Sequence, residues 1–297
     1  MQIGISVSSS IVAERPSRAL AMMVERAAAA YAAGLSSLSV GDHHAQRKWY
    51  AQNTPTLGRL LAEWPDRRAG CLFLAPLWHP VHMAEQIGTL AAMVDAPFIV
   101  QVGIGAGDDQ FASMGAELRT RGRVTDESIR VVKALLAGEE AISEMLDVGP
   151  TRLGLLPDQP IEWWIGGHAP PAIERAARLG TAWYAGPGIT AADSAPMVDR
   201  YRRACDAAGT TPRAIARRDV LVMPEADEGR RAATALIERG YRGLGPDVLV
   251  VGGPDDAAEA VAALEAAGYD EVIIRSMSLD QYHALASIEV FGALKPG

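Results

Sequence analysis

Short apolar runs alternate with longer Ala-rich amphipathic stretches from one end of the 297-residue chain to the other. A strand buried on both faces must be apolar throughout, whereas a helix covering it needs only one apolar stripe, so this alternation marks parallel strands joined by crossover helices. Eight strands can be read in this way: Ile3–Val7, Ser37–Val40, Gly70–Leu74, Phe98–Ile104, Ile161–Ile165, Thr181–Tyr184, Asp219–Val222 and Glu271–Arg275. Eight strand–helix units predict an α/β fold, a single (β/α)8 TIM barrel, and the length suits one domain spanning residues 1–297.

Helical spacing supports the same division. Ser17 opens a stretch with Leu20, Val24, Ala27, Ala28 and Tyr31 on one face, which stops at Gly34, and similar stops stand at Gly138, Gly180, Gly209 and Gly268. The seventh unit reads as two helices, around Glu228–Arg239 and Asp256–Ala267, parted by Val248–Val251 and the Gly252-Gly253-Pro254 turn. The Val248–Val251 run is a possible ninth strand. After the fourth helix, Glu139–Asp158 carries Gly149-Pro150 and Leu156-Pro157 and reads as a longer irregular loop over the barrel mouth.

Composition narrows the function. A net charge of −8 with acids and bases scattered along the chain offers no concentrated positive surface for a phosphate backbone, so nucleic acid is not an expected partner. No apolar run approaches the roughly 20 residues of a membrane span, and Met1-Gln2-Ile3-Gly4-Ile5 lacks the flanks of a signal peptide, so a cytoplasmic protein without a membrane partner is expected. Cys71 and Cys205 have no metal-ligand spacing and read as reduced core residues; no metal site is expected.

In parallel barrels chemistry sits on the loops leaving the C-terminal strand ends. Gly41-Asp42-His43-His44 follows the second strand at once. An imidazole there can give or take a proton near neutral pH, although two histidines after an acid also suit a metal or a hydrogen-bonded loop. Gly103, Gly105 and Gly107 after the fourth strand depart from a dinucleotide loop because Asp108 takes the third glycine's place; they let a flat ring approach the backbone, or make a tight strand exit. Trp163-Trp164-Ile165-Gly166-Gly167-His168 runs from the fifth strand into a helix whose bare amides suit a phosphate, or form an ordinary turn, with the tryptophans as barrel packing. Leu77-Trp78-His79-Pro80 after the third strand places Pro80 in a first helical turn, with His79 or Glu85 facing the mouth or the helix ring.

Taken in order, these segments resemble the luciferase-like monooxygenase family. The resemblance runs from Gly34-Leu35-Ser36-Ser37 and Gly41-Asp42-His43-His44 through Pro76-Leu77-Trp78-His79-Pro80, Ala84-Glu85 and Gly103-Ile104-Gly105-Ala106-Gly107. It continues through Arg121-Gly122-Arg123 with Glu127, Ile165-Gly166-Gly167, Ala176-Ala177-Arg178-Leu179-Gly180 and Ala267-Gly268-Tyr269-Asp270-Glu271-Val272. It departs at Asp95-Ala96-Pro97, at Thr181-Ala182 and at Ala106, where some deazaflavin members carry an acid.

The resemblance implies a homodimeric oxidoreductase acting on a small-molecule substrate. Its expected chemistry is hydride transfer with coenzyme F420, the alternatives being oxygen chemistry with reduced FMN and a barrel that binds flavin without turnover. By the same resemblance His43 is the active-site histidine, Asp42 and His168 adjoin the cofactor, and Gly166 and Gly167 hold its phosphate. Leu72 and Phe73 would back the middle ring, with Gly103 and Gly105 beside it. A non-prolyl cis peptide is then expected between Leu72 and Phe73, or failing that at Cys71–Leu72.

Overall fold

The computed structural model describes residues 1–11, 13–154 and 156–294. Its strands in chain order are β1 (Gln2–Val7), β2 (Ser37–Val40), β3 (Arg68–Leu74), β4 (Phe98–Gly103), β5 (Ala141–Ser143), β6 (Val148–Thr151), β7 (Ile161–Gly166), β8 (Ala182–Ala185), β9 (Ala214–Val222), β10 (Val250–Gly252) and β11 (Glu271–Ser276). The helices are α1 (Pro16–Ala32), α2 (Asn53–Leu60), α3 (Pro80–Ala91), α4 (Asp108–Ser113), α5 (Arg121–Leu136), α6 (Pro170–Leu179), α7 (Ala191–Ala208), α8 (Ala226–Glu238), α9 (Pro254–Ala266) and α10 (Gln281–Ala293).

Parallel pairing runs β11-β1-β2-β3-β4-β7-β8-β9, and β9 also pairs with β11, which closes an eight-stranded ring. The expected (β/α)8 barrel is therefore present. β10 lies outside the ring and continues only the end of β9, from Val220 to Val222, so the ninth strand anticipated near Val248–Val251 is real but is not a stave of the barrel.

The barrel interior is filled in layers. Trp164 packs there with Ile99, Ala182, Ile215 and Ile273, all fully buried. At roughly 25 cal/mol per Å², a tryptophan burying about 200 Å² contributes ~5 kcal/mol, an upper figure for a compact unfolded state. Gly70 is required beside this layer, because a Cβ there would lie 1.7 Å from the carbonyl oxygen of Ile99. Trp163 points the other way, into the helix layer with Ile165 and Ile173. The tryptophan pair is thus packing rather than a stacking platform.

Below the apolar layer, at the N-terminal strand ends, Glu271 accepts from Ser37 (2.6 Å), Arg68 (3.0 Å) and Arg213 (2.7 Å). Glu162 accepts from the same arginines and from the Trp164 indole. Two carboxylates face two guanidiniums, so this end of the barrel is charge-balanced, as buried ions must be.

Two features differ from the sequence reading. The segment after the fourth helix is an antiparallel β5–β6 hairpin packed on α5, not an irregular loop over the mouth. Its strands are only a few residues long and Pro150 lies within one, which is tolerated because a two-stranded ribbon has free edges. The seventh strand begins at Ala214 rather than Asp219, since Arg217 and Asp219 interrupt its apolar pattern while facing the barrel interior. Cys71 and Cys205 are buried and unpaired, as expected. Among the described residues no helix is long and apolar enough to cross a membrane.

Candidate active site

At the C-terminal ends of the strands a cavity of about 150 Å³ opens among Ser8, His43, Tyr50, Leu72, Arg217 and Arg275. A pocket that buries a whole drug-sized ligand is larger, about 300–1,000 Å³, so this one suits a reacting end or a small polar group.

His43 leaves β2 half-buried at the rim of this cavity. Its ring meets Tyr50 edge-on, with centroids 5.8 Å apart. Its Nδ1 is held by the side-chain oxygen of Gln110 from α4. Gln110 is itself fixed: its nitrogen donates to the carbonyl of Ala106 at 3.0 Å, and its oxygen also accepts from the His44 amide at 2.9 Å. The Ala106 carbonyl and the His44 amide fix which way the amide group points, and its oxygen can only accept, so Nδ1 must be the donor and the neutral ring carries its lone pair on Nε2. Nε2 has no hydrogen-bond partner among the described residues.

Asp42 has its carboxylate turned away from the mouth. Oδ2 accepts from the Leu74 amide and the Trp78 indole, each at 2.8 Å, and Oδ1 stands 3.2 Å from His44 Nε2 without hydrogen-bond alignment. It ties the loop after β2 to the end of β3. Leu72 faces the cavity, whereas the Phe73 side chain is fully buried in the outer layer, 5.1 Å from Trp78 between ring centroids. Every peptide bond among the described residues is trans. The expected cis bond at Leu72–Phe73, or at Cys71–Leu72, is therefore corrected: β3 keeps unbroken register with β4 from Ala69 to Leu74, leaving no bulge there.

Gly103 lies 3.2–3.4 Å, at its missing Cβ, from Leu74 and Leu72 side chains, and Gly105 turns the chain into the segment bearing Gln110. Gly166 ends β7. Gly167 has φ +133°, a region open to glycine alone, and a Cβ there would lie 2.6 Å from that of Ala172. The turn is held by Trp183 Nε1 donating to the Gly167 carbonyl at 2.7 Å and by Gly186 donating to His168 Nε2 at 3.0 Å. Burial lowers the His168 imidazole below its ordinary range, helped by the nearby Arg218 charge. Pro170 and Pro171 bring no amide to the start of α6, but the amides of Gly167, His168 and Ala169 donate to no acceptor among the described residues. Anion-binding donors thus stand just before the helix, not in its first turn.

The model that matches residues 1–246 is that of the luciferase-like monooxygenases. The chain belongs to the luciferase-like monooxygenase family. An uncharacterised protein of Mycobacterium tuberculosis is 33% identical over 138 residues, 46% of this chain and 47% of the relative. The chain spans about half the length of the curated relatives it matches. Three solved structures share the fold: the monooxygenase RslO1 from Streptomyces bottropensis (TM-score 0.82, 18% identity, 98% of both chains); an F420-dependent secondary alcohol dehydrogenase in complex with an F420–acetone adduct (0.78, 17%, 98% of this chain and 97% of that one); and the FMN-bound oxygenating constituent of 3,6-diketocamphane monooxygenase from Pseudomonas putida (0.81, 17%, 99% and 97%). At such identities the likeness is one of fold.

In this luciferase-like chain His79, His82 and Glu85 are exposed on α3, away from the cavity lined by His43. No cluster of histidine, cysteine and acidic residues suited to a metal occurs among the described residues. Sequence reasoning missed Gln110, Gln101, Arg217, Asp219, Arg242 and Arg275. Gln101 is almost fully buried on β4 with its side-chain nitrogen unpartnered. An alternating reading of Ala214–Val222 would have placed Arg217 and Asp219 on the inner face of a strand.

Proposed function

We propose that the chain is a coenzyme F420-dependent oxidoreductase that moves a hydride between the deazaflavin and a small organic substrate, with His43 as its acid–base group. The observation that carries this reading is the Gln110–His43 contact, which sets the tautomer of the neutral imidazole so that its lone pair lies on Nε2 beside the cavity. Taking a hydride from a C–H bond bearing a hydroxyl requires that the hydroxyl proton leave as well, and Nε2 is the group suited to accept it. In the opposite direction the protonated ring returns that proton to a carbonyl oxygen.

The residues fit a flavin-type cofactor. The turn after β7 offers the free amides of Gly167, His168 and Ala169 to a phosphate and closes around Gly167, whose side chain would have no room. Leu72 lines the cavity with Gly103 packed against its side chain, and the Gln101 nitrogen on β4 is a buried donor without a partner among the described residues. When bound, the deazaflavin supplies the hydride donor or acceptor. The chain's part is to hold the phosphate at Gly166–His168, to keep the His43 tautomer through Gln110, and to leave room for substrate near Tyr50.

The test is an anaerobic assay in which oxidised F420 is mixed with a panel of alcohols and loss of its absorbance is followed. Reduction by at least one alcohol, lost in His43→Ala, is expected. Consumption of reduced FMN with oxygen, with F420 inert, would overturn the deazaflavin assignment in favour of oxygenation. Binding of either cofactor with no turnover would overturn the enzymatic step.

A further inference from the structure

The mouth carries a charge imbalance that the other end of the barrel does not. Arg217 from β9, Arg275 from β11 and Arg242 from the segment after α8 surround one carboxylate, that of Asp219, which is fully buried. Three positive charges thus share a single carboxylate, whereas the N-terminal network pairs Arg68 and Arg213 with Glu162 and Glu271. Asp42 also lines the cavity, but its Oδ2 is engaged by Leu74 and Trp78, and its Oδ1 stands 3.2 Å from His44 Nε2 without a hydrogen bond.

The contacts to Asp219 are long, at 3.2 Å for Arg217, 3.6 Å for Arg242 and 3.9 Å for Arg275. Among the described residues Arg217 Nε is buried without a hydrogen-bond partner, and the Arg275 guanidinium has only Ser8 Oγ, at 3.2 Å. A guanidinium has five donors, so most of the donors of this cluster are unspent. All three arginines line the cavity that also holds His43, Ser9 and Tyr50, and the Ser9 hydroxyl is a further buried group without a partner. Gathering three cations, two of them largely buried, around one carboxylate is unfavourable unless a further anion completes the set.

The backbone is also bent to bring the third arginine in. Arg242 has φ +50°, left-handed for a residue with a side chain, and the Tyr241 hydroxyl pins this turn by donating to Asp219 Oδ2 at 2.9 Å. Strain of this kind persists where a site needs it. Crowding shows in the charge itself: burial first, then Arg275 and Arg217, lower the Arg242 pKa below the ordinary guanidinium range.

We propose that Arg217, Arg242 and Arg275 bind an anionic group of the substrate, a carboxylate or a phosphate monoester, in the cavity beside His43. The assignment of that anion to the substrate rests on the cofactor reading above, which places the cofactor's own phosphate on the β7 turn instead. A planar carboxylate or a tetrahedral phosphate can take paired donors from such forks, and docking it there would leave the reacting carbon of a short substrate near His43.

The test is calorimetric titration of the protein with inorganic phosphate and, separately, with malonate, in the parent and in Arg275→Gln, Arg242→Gln, Arg242→Lys and Gly166→Asp. Saturable binding of at least one anion at the arginines is expected, weakened about tenfold or more in the two glutamine variants and less in Arg242→Lys, and kept in Gly166→Asp, in which only phosphate bound at the β7 turn is lost. Melting curves check that each variant is folded, and Arg242 is the safer position because 45% of its side chain is exposed. Preference for phosphate or for malonate tells which anionic group the site takes.

Three results would overturn the proposal. One is no saturable binding of either anion below about 10 mM. Another is binding that survives the arginine changes and is lost in Gly166→Asp. The third is loss of F420 or FMN affinity in the arginine variants as large as their loss of anion affinity. Anion binding lost in the arginine variants while neither cofactor binds would instead uphold the anion site and defeat the cofactor reading.

Discussion

Gln110 presents its side-chain oxygen to Nδ1 of His43 because its nitrogen is already bonded to the carbonyl of Ala106. The histidine therefore has one neutral tautomer, with hydrogen on Nδ1. Long-range proton–nitrogen NMR of the imidazole at a pH above its titration should show that form for His43, and Gln110→Leu should release the preference. Hydrogen on Nε2 in the parent would contradict the assignment.

The same contact predicts an order of catalytic losses. His43→Ala removes the acid–base group and should lower turnover about 10²-fold or more. Gln110→Leu leaves the ring but frees its orientation, and should cost about 10- to 100-fold, chiefly in kcat. Equal turnover in Gln110→Leu and the parent would show that the tautomer does not matter.

Neighbouring glycines on the β7 turn should respond differently. Gly167 has φ +133° and 2.6 Å to the Ala172 Cβ, whereas a Cβ on Gly166 would meet nothing closer than 3.4 Å. Gly167→Ala should cost about 1–3 kcal/mol in urea denaturation, while Gly166→Ala stays within about 1 kcal/mol. Equal losses would mean that the turn is not held in this conformation. The difference also makes Gly166 the position at which a charge can be introduced without unfolding the turn.

His168 links this turn to pH. Its folded-state pKa lies below the ordinary value of 6.5, chiefly through burial. Between those two values the unfolded chain binds more protons than the folded one, so stability is full above about pH 6.5 and falls as the pH drops toward the folded pKa. Protonation also removes the lone pair that accepts from Gly186. The melting temperature of the parent should decline more steeply from about pH 7 to 5 than that of His168→Gln, whose amide oxygen can still accept that bond. Parallel curves would show that the imidazole is not buried in its neutral form.

The barrel was legible because strands buried on both faces announce themselves as apolar runs, and Ser37–Val40 is recovered residue for residue. The first half of β9 was hidden by Arg217, Arg218 and Asp219 within it and by Arg213 just before it. Three of these face the end layers of the barrel, where polar side chains are required, so the residues that concealed the strand are those that charge the two ends. His43 and the Gly166-Gly167 turn stood out because each directly follows a strand. Gln110 did not, since it lies 67 residues from the histidine it orients and only the folded barrel brings α4 against the loop after β2. Arg242 was equally hidden, in a turn whose backbone no propensity would suggest.

The central claim is that a flavin-type cofactor sits at this mouth with its phosphate on the β7 turn, and binding tests it without knowledge of the substrate. Fluorescence titration of the parent and of Gly166→Asp with F420 and with FMN is the decisive measurement. Saturable binding to the parent, tighter for F420, and an affinity at least about tenfold weaker in the folded Gly166→Asp variant are predicted, since a carboxylate would then face the phosphate. Failure of both cofactors to bind, or equal affinity in the parent and the variant, would contradict the account.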